Sequence, residues 1–376
     1  MDVVVTGIGL ISCLGSLTQT WSNILQGKSG ISLHSPFRAV GAYPLGLIKT
    51  QPSKIEALTQ AILLDTLKDA GLKPPLDQCG VVIGSSRSNQ ATWEELATQK
   101  PSNIPTWITT LPHQSAIATA QYIQTSAPVL APMAACATAI WALARGYELI
   151  KTGQCQRVIV GAVEAPITPL TLAAFERMGA LATTGCYPFD LKREGLVLGE
   201  GGAMFVLETA ALATRRQAKI YGRILGFGLT CDAHHVSAPQ TVNGSAARAI
   251  KDSLLRSNLV PSDIDYIHVH GTSTIINDRH EAQLIKQIFS PQIPISSTKG
   301  ATGHTLGASA ALGTALTLMA LKQGYLPPTI GLTNSEFNLN IITHPQKVKI
   351  NQALCFSFGF GGQNAVISLG SSRKNN

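Results

Sequence analysis

The stretch that decides the fold is Tyr266-Ile267-His268-Val269-His270-Gly271-Thr272-Ser273-Thr274. Its β-branched and aromatic residues predict a strand, and Gly271 ends that strand before three hydroxyl residues. Layered α/β proteins keep their functional side chains where strands end, so a histidine here is a candidate for chemistry. His268 and His270 alternate along one strand, and position alone does not choose between them. The simpler alternative is a capped strand end with a solvent-facing histidine.

The rest of the chain repeats this alternation of short strands and helices, which is typical of a layered α/β fold. Strands are predicted over residues 2–6, 80–84, 156–161, 203–208, 219–228, 264–269, 293–296, 353–357 and 364–369. Helices are predicted over residues 18–27, 55–70, 136–152, 244–257, 277–288 and 305–322. The pattern is compatible with two similar halves, residues 1–208 and 209–376. The polar, proline-bearing segment 85–110 is predicted to be a long loop.

Composition limits the classes of partner. The 376 residues are 45% hydrophobic and only 13% charged, against a typical quarter, so we expect part of the surface to be hidden by oligomerisation. The net charge is +8, but lysines and arginines are scattered, with one cluster at Arg373 and Lys374. Without zinc spacing or aromatic–basic interleaving, nucleic-acid binding is not expected. An acidic protein partner stays open.

Cysteine usage and hydropathy predict the compartment. The seven cysteines are an odd number without a CxxC pair, which favours free thiols in a reducing environment. A strand-like Val3-Val4-Val5 begins almost at once, leaving no room for a signal peptide. No apolar run approaches the ~18 residues of a membrane span. We therefore expect a cytoplasmic protein without a membrane span.

A candidate nucleophile is Cys136, in Ala134-Ala135-Cys136-Ala137-Thr138-Ala139. A cysteine that opens a helix lies where the helix dipole and free N–H groups favour the thiolate. The flanking alanines allow a backbone or substrate to approach closely. The alternative is a buried structural cysteine, which is the commoner role.

Two further motifs contain candidate site residues. In Lys299-Gly300-Ala301-Thr302-Gly303-His304, a lysine and a histidine lie five residues apart at the start of a small-residue helix. The alternative for this pair is a helix cap with a solvated lysine. In Phe356-Ser357-Phe358-Gly359-Phe360-Gly361-Gly362, glycines free backbone N–H groups to point at a ligand, or simply form a turn between strands. The early Gly7-Ile8-Gly9 lacks the third glycine of a dinucleotide loop, so nucleotide binding is not expected.

Taken together in this order and spacing, these motifs resemble the β-ketoacyl-acyl carrier protein synthases, of the elongating type with a Cys-His-His triad. The initial Val3–Gly9 run and Lys28-Ser29-Gly30-Ile31 are similar to the same family. So are Pro188-Phe189-Asp190 and Gly199-Glu200-Gly201. The resemblance covers nearly the whole chain. It implies an α/β, thiolase-like layered αβαβα fold of two similar halves.

The resemblance also implies an activity and a role for each matching residue. Cys136 would take an acyl group from an acyl carrier protein, and His270 and His304 would support decarboxylation of malonyl carrier protein and stabilise its enolate. Lys299 would set the charge around them. The N–H groups of Cys136 and Phe358 would form an oxyanion hole, with the Phe358 ring as a gate. The same resemblance implies that Thr272 and Thr274 would hold the phosphopantetheine amide.

The resemblance implies no metal and no organic cofactor, because the thioester arm arrives on its carrier. It implies a homodimer, or a heterodimer with a second synthase-like chain. The sequence departs from the family pattern at Ala127-Pro128, at Gly313 in place of a glutamate, and at Phe356 in place of a polar residue. Two alternatives remain: a non-elongating, chain-length-factor-like partner subunit, whose class usually lacks the cysteine, and a noncatalytic scaffold that binds carrier protein.

Overall fold

The computed structural model describes residues 1–38, 40–98, 104–240 and 243–372. Fifteen strands in the described residues are β1 (Val3–Ser12), β2 (Gly15–Ser16), β3 (Ser32–His34), β4 (Tyr43–Leu45), β5 (Cys79–Gly84), β6 (Val129–Leu130), β7 (Arg157–Glu164), β8 (Gly201–Thr209), β9 (Gly222–Cys231), β10 (Tyr266–His268), β11 (Ile295–Ser296), β12 (Tyr325–Leu326), β13 (Gln346–Lys347), β14 (Gln352–Gly359) and β15 (Gln363–Gly370). The same described ranges contain eleven α-helices, which are α1 (Leu17–Leu25), α2 (Ile55–Ala70), α3 (Gln90–Thr98), α4 (Gln114–Ile123), α5 (Thr138–Lys151), α6 (Pro169–Arg177), α7 (Ala210–Arg215), α8 (Ser245–Ser257), α9 (Ile275–Ile288), α10 (Lys299–Thr302) and α11 (Ser309–Gln323).

The main sheet is built from two halves with the same strand order. Its two central strands, β1 and β9, pair antiparallel. Outward from them run β1-β8-β7-β5-β6 on one side and β9-β15-β14-β10-β11 on the other. In each half the first two pairings are antiparallel and the last two are parallel. The two halves therefore repeat one topology, as two similar halves require.

Helices α5 and α11 form the middle layer. They pack on each other, and each contacts strands of both halves. In α11 every residue from Ser309 to Leu321 is buried, which explains why its sequence is apolar on all sides rather than amphipathic. Helices α2 and α4 cover the outer face of the first half, and α8 covers β9 and β15. The order of layers is thus helices, the first half of the sheet, the middle helices, the second half of the sheet, and helices again.

Most predicted elements are confirmed, with shifted ends. Helix α2 occupies the predicted residues 55–70, and β1 extends beyond the predicted residues 2–6 to Ser12. The prediction of a long loop over 85–110 is wrong, because α3 and a 3-10 helix, Ile104–Thr110, lie there. None of the α3 residues is buried, so this helix lacks the apolar periodicity that would reveal it. Residues 99–103 of that segment, and the basic pair Arg373 and Lys374, lie outside the described residues.

Helix length and hydropathy bear on one further prediction. Within the part of the chain that the structure describes, none of the helices is both long and apolar enough to cross a membrane.

Candidate active site

Cys136 lies in a tight turn two residues before α5. The preceding Ala135 has a φ of +46°, a left-handed conformation that costs energy for a residue with a Cβ. Thr138 stabilises the turn, since its Oγ1 accepts from the Ala134 N–H at 2.8 Å and donates to the Ala135 carbonyl at 2.7 Å. From β14, Ser357 Oγ donates to the Cys136 carbonyl at 2.8 Å. The thiol is therefore oriented by contacts from both halves.

His270 is held just beyond the end of β10 by a buried carboxylate. The N–H groups of His270 and Gly271 donate to Glu281 on α9, at 2.6 and 2.7 Å. Gly271 has a φ of +42°, and a Cβ there would lie 2.6 Å from Ser297 Cβ. Only glycine fits both the conformation and the space. The strand-breaking glycine of the sequence thus sets the position of the histidine before it.

His304 reaches the same point from the segment before α11. Its N–H donates to the Val197 carbonyl at 2.7 Å, and its Nδ1 lies 2.7 Å from Ser309 Oγ. The His270 and His304 rings are 5.4 Å apart, nearly perpendicular. One ring nitrogen of each histidine and Cys136 Sγ all lie within 4.8 Å of one another. The fold therefore brings together the three residues that the sequence singled out from separate motifs.

Lys299 lies behind His270 and is buried. Its Nζ donates to the His270 carbonyl and lies 3.4 Å from His270 Nδ1. An ammonium group has no acceptor, so Nδ1 of His270 must accept and Nε2 must carry the proton. Nε2 is thus the hydrogen-bond donor that His270 can offer to a substrate oxygen.

Burial keeps both catalytic-site imidazoles neutral. The pKa values of His270 and His304 lie well below the ordinary value, first because burial disfavours the charged form and then because of the positive charge of Lys299. Burial also lowers the pKa of Lys299, which the nearby Glu281 opposes. Burial raises the pKa of Glu281 to about 7. The histidines are therefore hydrogen-bonding groups rather than cations.

Cys136 differs from the sequence prediction in its ionisation. Burial raises the pKa of its thiol to about 11, and the charges of Lys299 and Arg87 and the Phe360 N–H only partly counteract burial. The helix start was predicted to favour the thiolate, but the net shift of the Cys136 pKa is upward because the desolvation penalty is larger. That prediction is therefore wrong for the net shift. The resting thiol is protonated, and its proton must leave as the sulfur attacks.

A cavity of about 370 Å³ leads to this cluster. Cys136, His270 and His304 line its inner end, and the half-exposed Ile275 and Ile276 lie near its outer end. The two threonines of the sequence motif, Thr272 and Thr274, line the wall between them, with their hydroxyl oxygens 2.9 Å apart. The cavity is therefore a channel with an exposed outer end and a buried inner end at the candidate nucleophile Cys136.

The glycine-rich turn after β14 closes over the thiol. The Phe360 N–H of this turn lowers the pKa of Cys136. The ring of Phe358, the residue that the resemblance assigns to the oxyanion hole and gate, packs against His270, with centroids 6.1 Å apart. A Cβ on Gly359 would lie 2.9 Å from the Cys136 nitrogen. Both phenylalanines line the cavity, and the motif alone could not distinguish them.

Two other residues lie beside the site. The sequence analysis did not identify Glu281, which is one of two acidic residues on the predicted helix 277–288. His268, which the sequence left level with His270, lies away from the cavity and contacts Thr298 and Cys355.

The thiol and imidazoles could also serve as zinc ligands by residue type. However, the Lys299 ammonium 3.4 Å from His270 Nδ1 places positive charge behind one of the ligands. Metal-bound histidines usually have a carboxylate or carbonyl there instead. The arrangement fits a nucleophile with hydrogen-bond donors better than a metal centre.

A buried cysteine, two neutral histidines and a channel on a layered fold of two similar halves define an acyl-transfer site of the thiolase-like class. Sequence comparison matches residues 49–213 to the β-ketoacyl synthase N-terminal domain and residues 221–333 to its C-terminal domain. The chain is 31% identical to the 3-oxoacyl-[acyl-carrier-protein] synthase 2 of Staphylococcus aureus (strain COL), over 97% of each protein. It is 32% identical to the protein of the same name in Synechocystis, over 98% of this chain and 97% of that one. The chain belongs to the β-ketoacyl synthase family.

Solved structures agree with this assignment. A complex described as a type II polyketide-synthase acyl carrier protein with its ketosynthase bound to the hexaketide superposes with a TM-score of 0.93, at 28% identity, over 98% of this chain and 99% of that chain. The ishigamide ketosynthase/chain length factor superposes with a TM-score of 0.91, at 26% identity, over 99% of each. The thiolase-like fold predicted from the sequence is confirmed.

Proposed function

We propose that the protein catalyses the decarboxylative Claisen condensation of an acyl thioester with malonyl-acyl carrier protein, giving a β-ketoacyl-acyl carrier protein. The observation that carries the proposal is the convergence of Cys136 Sγ with a ring nitrogen each of His270 and His304 within 4.8 Å. The names of the relatives, 3-oxoacyl-[acyl-carrier-protein] synthase 2, support it.

In the first half-reaction, Cys136 Sγ attacks the thioester carbonyl of an acyl carrier protein. Because the thiol is protonated at rest, its proton ends on the departing phosphopantetheine thiol. The N–H groups of Cys136 and Phe360 are the donors that we assign to the developing oxyanion, in place of Phe358. The acyl group is then held as a thioester on Cys136.

In the second half-reaction, malonyl carrier protein enters the same channel and loses carbon dioxide. The electron pair of the broken C–C bond forms an enolate, whose oxygen we place against Nε2 of His270 and the His304 ring. Neutral, fixed donors in a dry site stabilise such a charge without reorganising. The enolate carbon attacks the acyl thioester, and Cys136 leaves as thiolate and regains a proton.

We assign the carrier's phosphopantetheine arm to the channel, where Thr272 and Thr274 offer hydroxyls to its amides. A cavity of about 370 Å³ that reaches from exposed isoleucines to Cys136 suits such a flexible arm. We further propose that the chain needs no metal and no organic cofactor, because the carrier delivers the thioester. Fatty-acid synthesis and specialised polyketide or lipid synthesis both use this chemistry.

Assembly and location are part of the same proposal. We propose a cytoplasmic enzyme that works as a homodimer, with a heterodimer of two synthase-like chains as the alternative. Exposed Trp107, Ile108 and Met133 are apolar surface that a partner subunit would cover. We retain the division at residues 208 and 209 as a prediction, supported by the repeated strand order.

The experiment is intact-protein mass spectrometry after incubation with acyl carrier proteins of several chain lengths, followed by malonyl carrier protein. We expect a mass gain on Cys136 that disappears as a two-carbon-longer β-ketoacyl product forms. Cys136→Ala should abolish both signals, and Cys231→Ser, a change at an exposed cysteine, should abolish neither. Cys136→Gln should retain malonyl decarboxylation. His304→Ala should lower decarboxylation more than acyl loading, and equal losses would contradict its role.

A second candidate function is a non-elongating subunit that pairs with another synthase. A neighbour described as a ketosynthase/chain length factor favours it, whereas the presence of Cys136 at the end of the channel argues against it. No loading with any chain length, together with stable binding to a synthase, would support this candidate and refute condensation by this chain. The same lack of loading without a synthase partner would favour a noncatalytic scaffold that binds carrier protein.

A further inference from the structure

His268 is the histidine that the catalytic cluster does not use. It is 3% exposed, points away from the channel, and has polar atoms near both ring nitrogens. Nε2 lies 3.0 Å from Thr298 Oγ1, and Nδ1 lies 3.8 Å from Cys355 Sγ. Burying an imidazole costs free energy unless it is hydrogen-bonded, so the contacts of this ring merit an explanation.

The ring fits only because the middle helix has no side chain at that level. A Cβ on Gly313 of α11 would lie 2.8 Å from His268 Cε1, 2.9 Å from its Nδ1 and 3.1 Å from Cys355 Sγ. Contacts under 3.0 Å would force the ring to move. A glycine inside a helix is unfavourable by up to about 1 kcal/mol relative to alanine, which the His268 packing offsets. Gly313 and His268 therefore form a matched pair.

The contacts of the His268 ring with Cys355 and Thr298 favour one tautomer. Burial raises the pKa of Cys355 to about 12 and lowers that of His268 to about 3, so the thiol is protonated and the imidazole is neutral. The thiol can donate to Nδ1, which leaves the proton on Nε2. Nε2–H then donates to Thr298 Oγ1.

Thr298 begins the segment that contains two catalytic-site residues. Its carbonyl accepts from the N–H groups of Ala301 and Thr302 at 3.0 and 3.1 Å, which closes the short helix α10. Lys299 is the first residue of α10, and His304 follows two residues after its end. A movement of Thr298 would therefore displace both the lysine behind His270 and the second histidine.

We infer that His268 is a positioning residue for the proposed condensation: through Thr298 it holds the Lys299–His304 segment, and Gly313 provides the space for its ring. The effect of His268 on catalysis rests on the proposed function, whereas its effect on the position of residues 298–304 does not. His268 touches neither the thiol nor the channel, so its effect is on geometry and not on proton transfer.

The first test is hydrogen exchange by mass spectrometry on the full chain, which needs no activity. His268→Ala should speed exchange at the amides of residues 298–304, and His268→Gln, which keeps a donor within reach of Thr298, should restore most of the protection. Tyr266→Phe is the matched control. Tyr266 lies on β10 with His268, and this variant removes its buried hydrogen bond to Ser296 of β11 without removing a contact of Thr298. Unchanged exchange in His268→Ala would overturn the inference.

The second test is a double-mutant cycle. Gly313→Ala should speed exchange at residues 298–304 in the wild-type background and have little effect in a His268→Ala background, where the ring is gone. Equal effects of Gly313→Ala in both backgrounds would show that the two residues are not a pair.

The third test separates positioning from proton transfer. In His268→Ala we expect kcat for malonyl decarboxylation to fall about tenfold with KM unchanged, because about one hydrogen bond is lost. His268→Gln should recover most of the lost kcat, and the pH profile of kcat should not shift. A shifted profile in His268→Gln would instead make the residue an acid or base and overturn the inference. If the wild-type protein neither loads nor decarboxylates, the proposed function fails, while the exchange results still decide the role of His268.

Discussion

The clearest quantitative consequence of the structure concerns the reactivity of Cys136. Burial raises the pKa of its thiol from the ordinary 9.0 to about 11. At a pH below both pKa values, a pKa higher by two means about a hundredfold less thiolate, and the thiolate is the form that reacts with alkylating agents. We therefore expect slow alkylation of Cys136 at pH 8, with the rate rising about tenfold per pH unit until near pH 11.

The perturbation is Lys299→Met. Lys299 is the largest of the influences that lower the Cys136 pKa against burial. Removing its charge should raise the pKa further and slow alkylation at every pH below about 10. Lys192→Met, at an exposed lysine, removes the same formal charge and should leave the rate unchanged.

The assay is iodoacetamide labelling followed by peptide mass spectrometry, which follows Cys136 separately from the other six cysteines. The exposed Cys231 is monitored in the same samples as a reference for reagent quality. A rate that levels off near pH 8, or one that is unaffected by Lys299→Met, would refute the reasoning that burial dominates and Lys299 counteracts it.

Three further predictions follow from other contacts. Thr272→Val should raise KM for the carrier-bound substrate about fivefold with kcat unchanged, in steady-state assays, because one hydroxyl of the channel wall is lost; a fall in kcat alone would contradict this role. Gly271→Ala should lower the free energy of unfolding by about 1–3 kcal/mol in urea titrations, because its Cβ would overlap Ser297 at a left-handed φ; an unchanged midpoint would refute it. Burial raises the folded-state pKa of Glu281 to about 7, so the folded state binds more protons than the unfolded state and stability falls as pH rises from about 4.5 to 7. Glu281→Gln should flatten this pH dependence in melting temperatures measured across that range. An unaltered dependence would show that other groups cause it.

Local features of the sequence were sufficient for the architecture and for the nucleophile. Strand ends, glycine breaks and small-residue helices are short-range patterns, and they placed Cys136, His270 and His304 within a few residues of the elements beside which they lie, α5, β10 and α11. Helix α3 was not predicted, because none of its residues is buried and its sequence therefore has no apolar stripe. A solvent-exposed helix leaves little trace in a hydrophobic pattern.

Other properties depend on which elements meet in space. His268 and His270 are equivalent in the sequence, yet one packs on α11 beside Gly313 and the other lies near Cys136. Strand β10 ends at His268 and the chain turns at Gly271, so strand alternation does not govern the second histidine. The Phe360 N–H lowers the Cys136 pKa while the Phe358 ring packs against His270, and both placements depend on how the turn after β14 folds back.

The sequence by itself determined the α/β class, the family resemblance and the candidate site residues Cys136, His270 and His304, because these follow from residue type, spacing and the order of motifs. Only the tertiary structure decided the ionisation of Cys136, the contact of Glu281 with His270, and the separate place of His268. Each of those depends on desolvation or on a contact between residues far apart in the chain, and neither quantity is encoded in any short stretch of sequence.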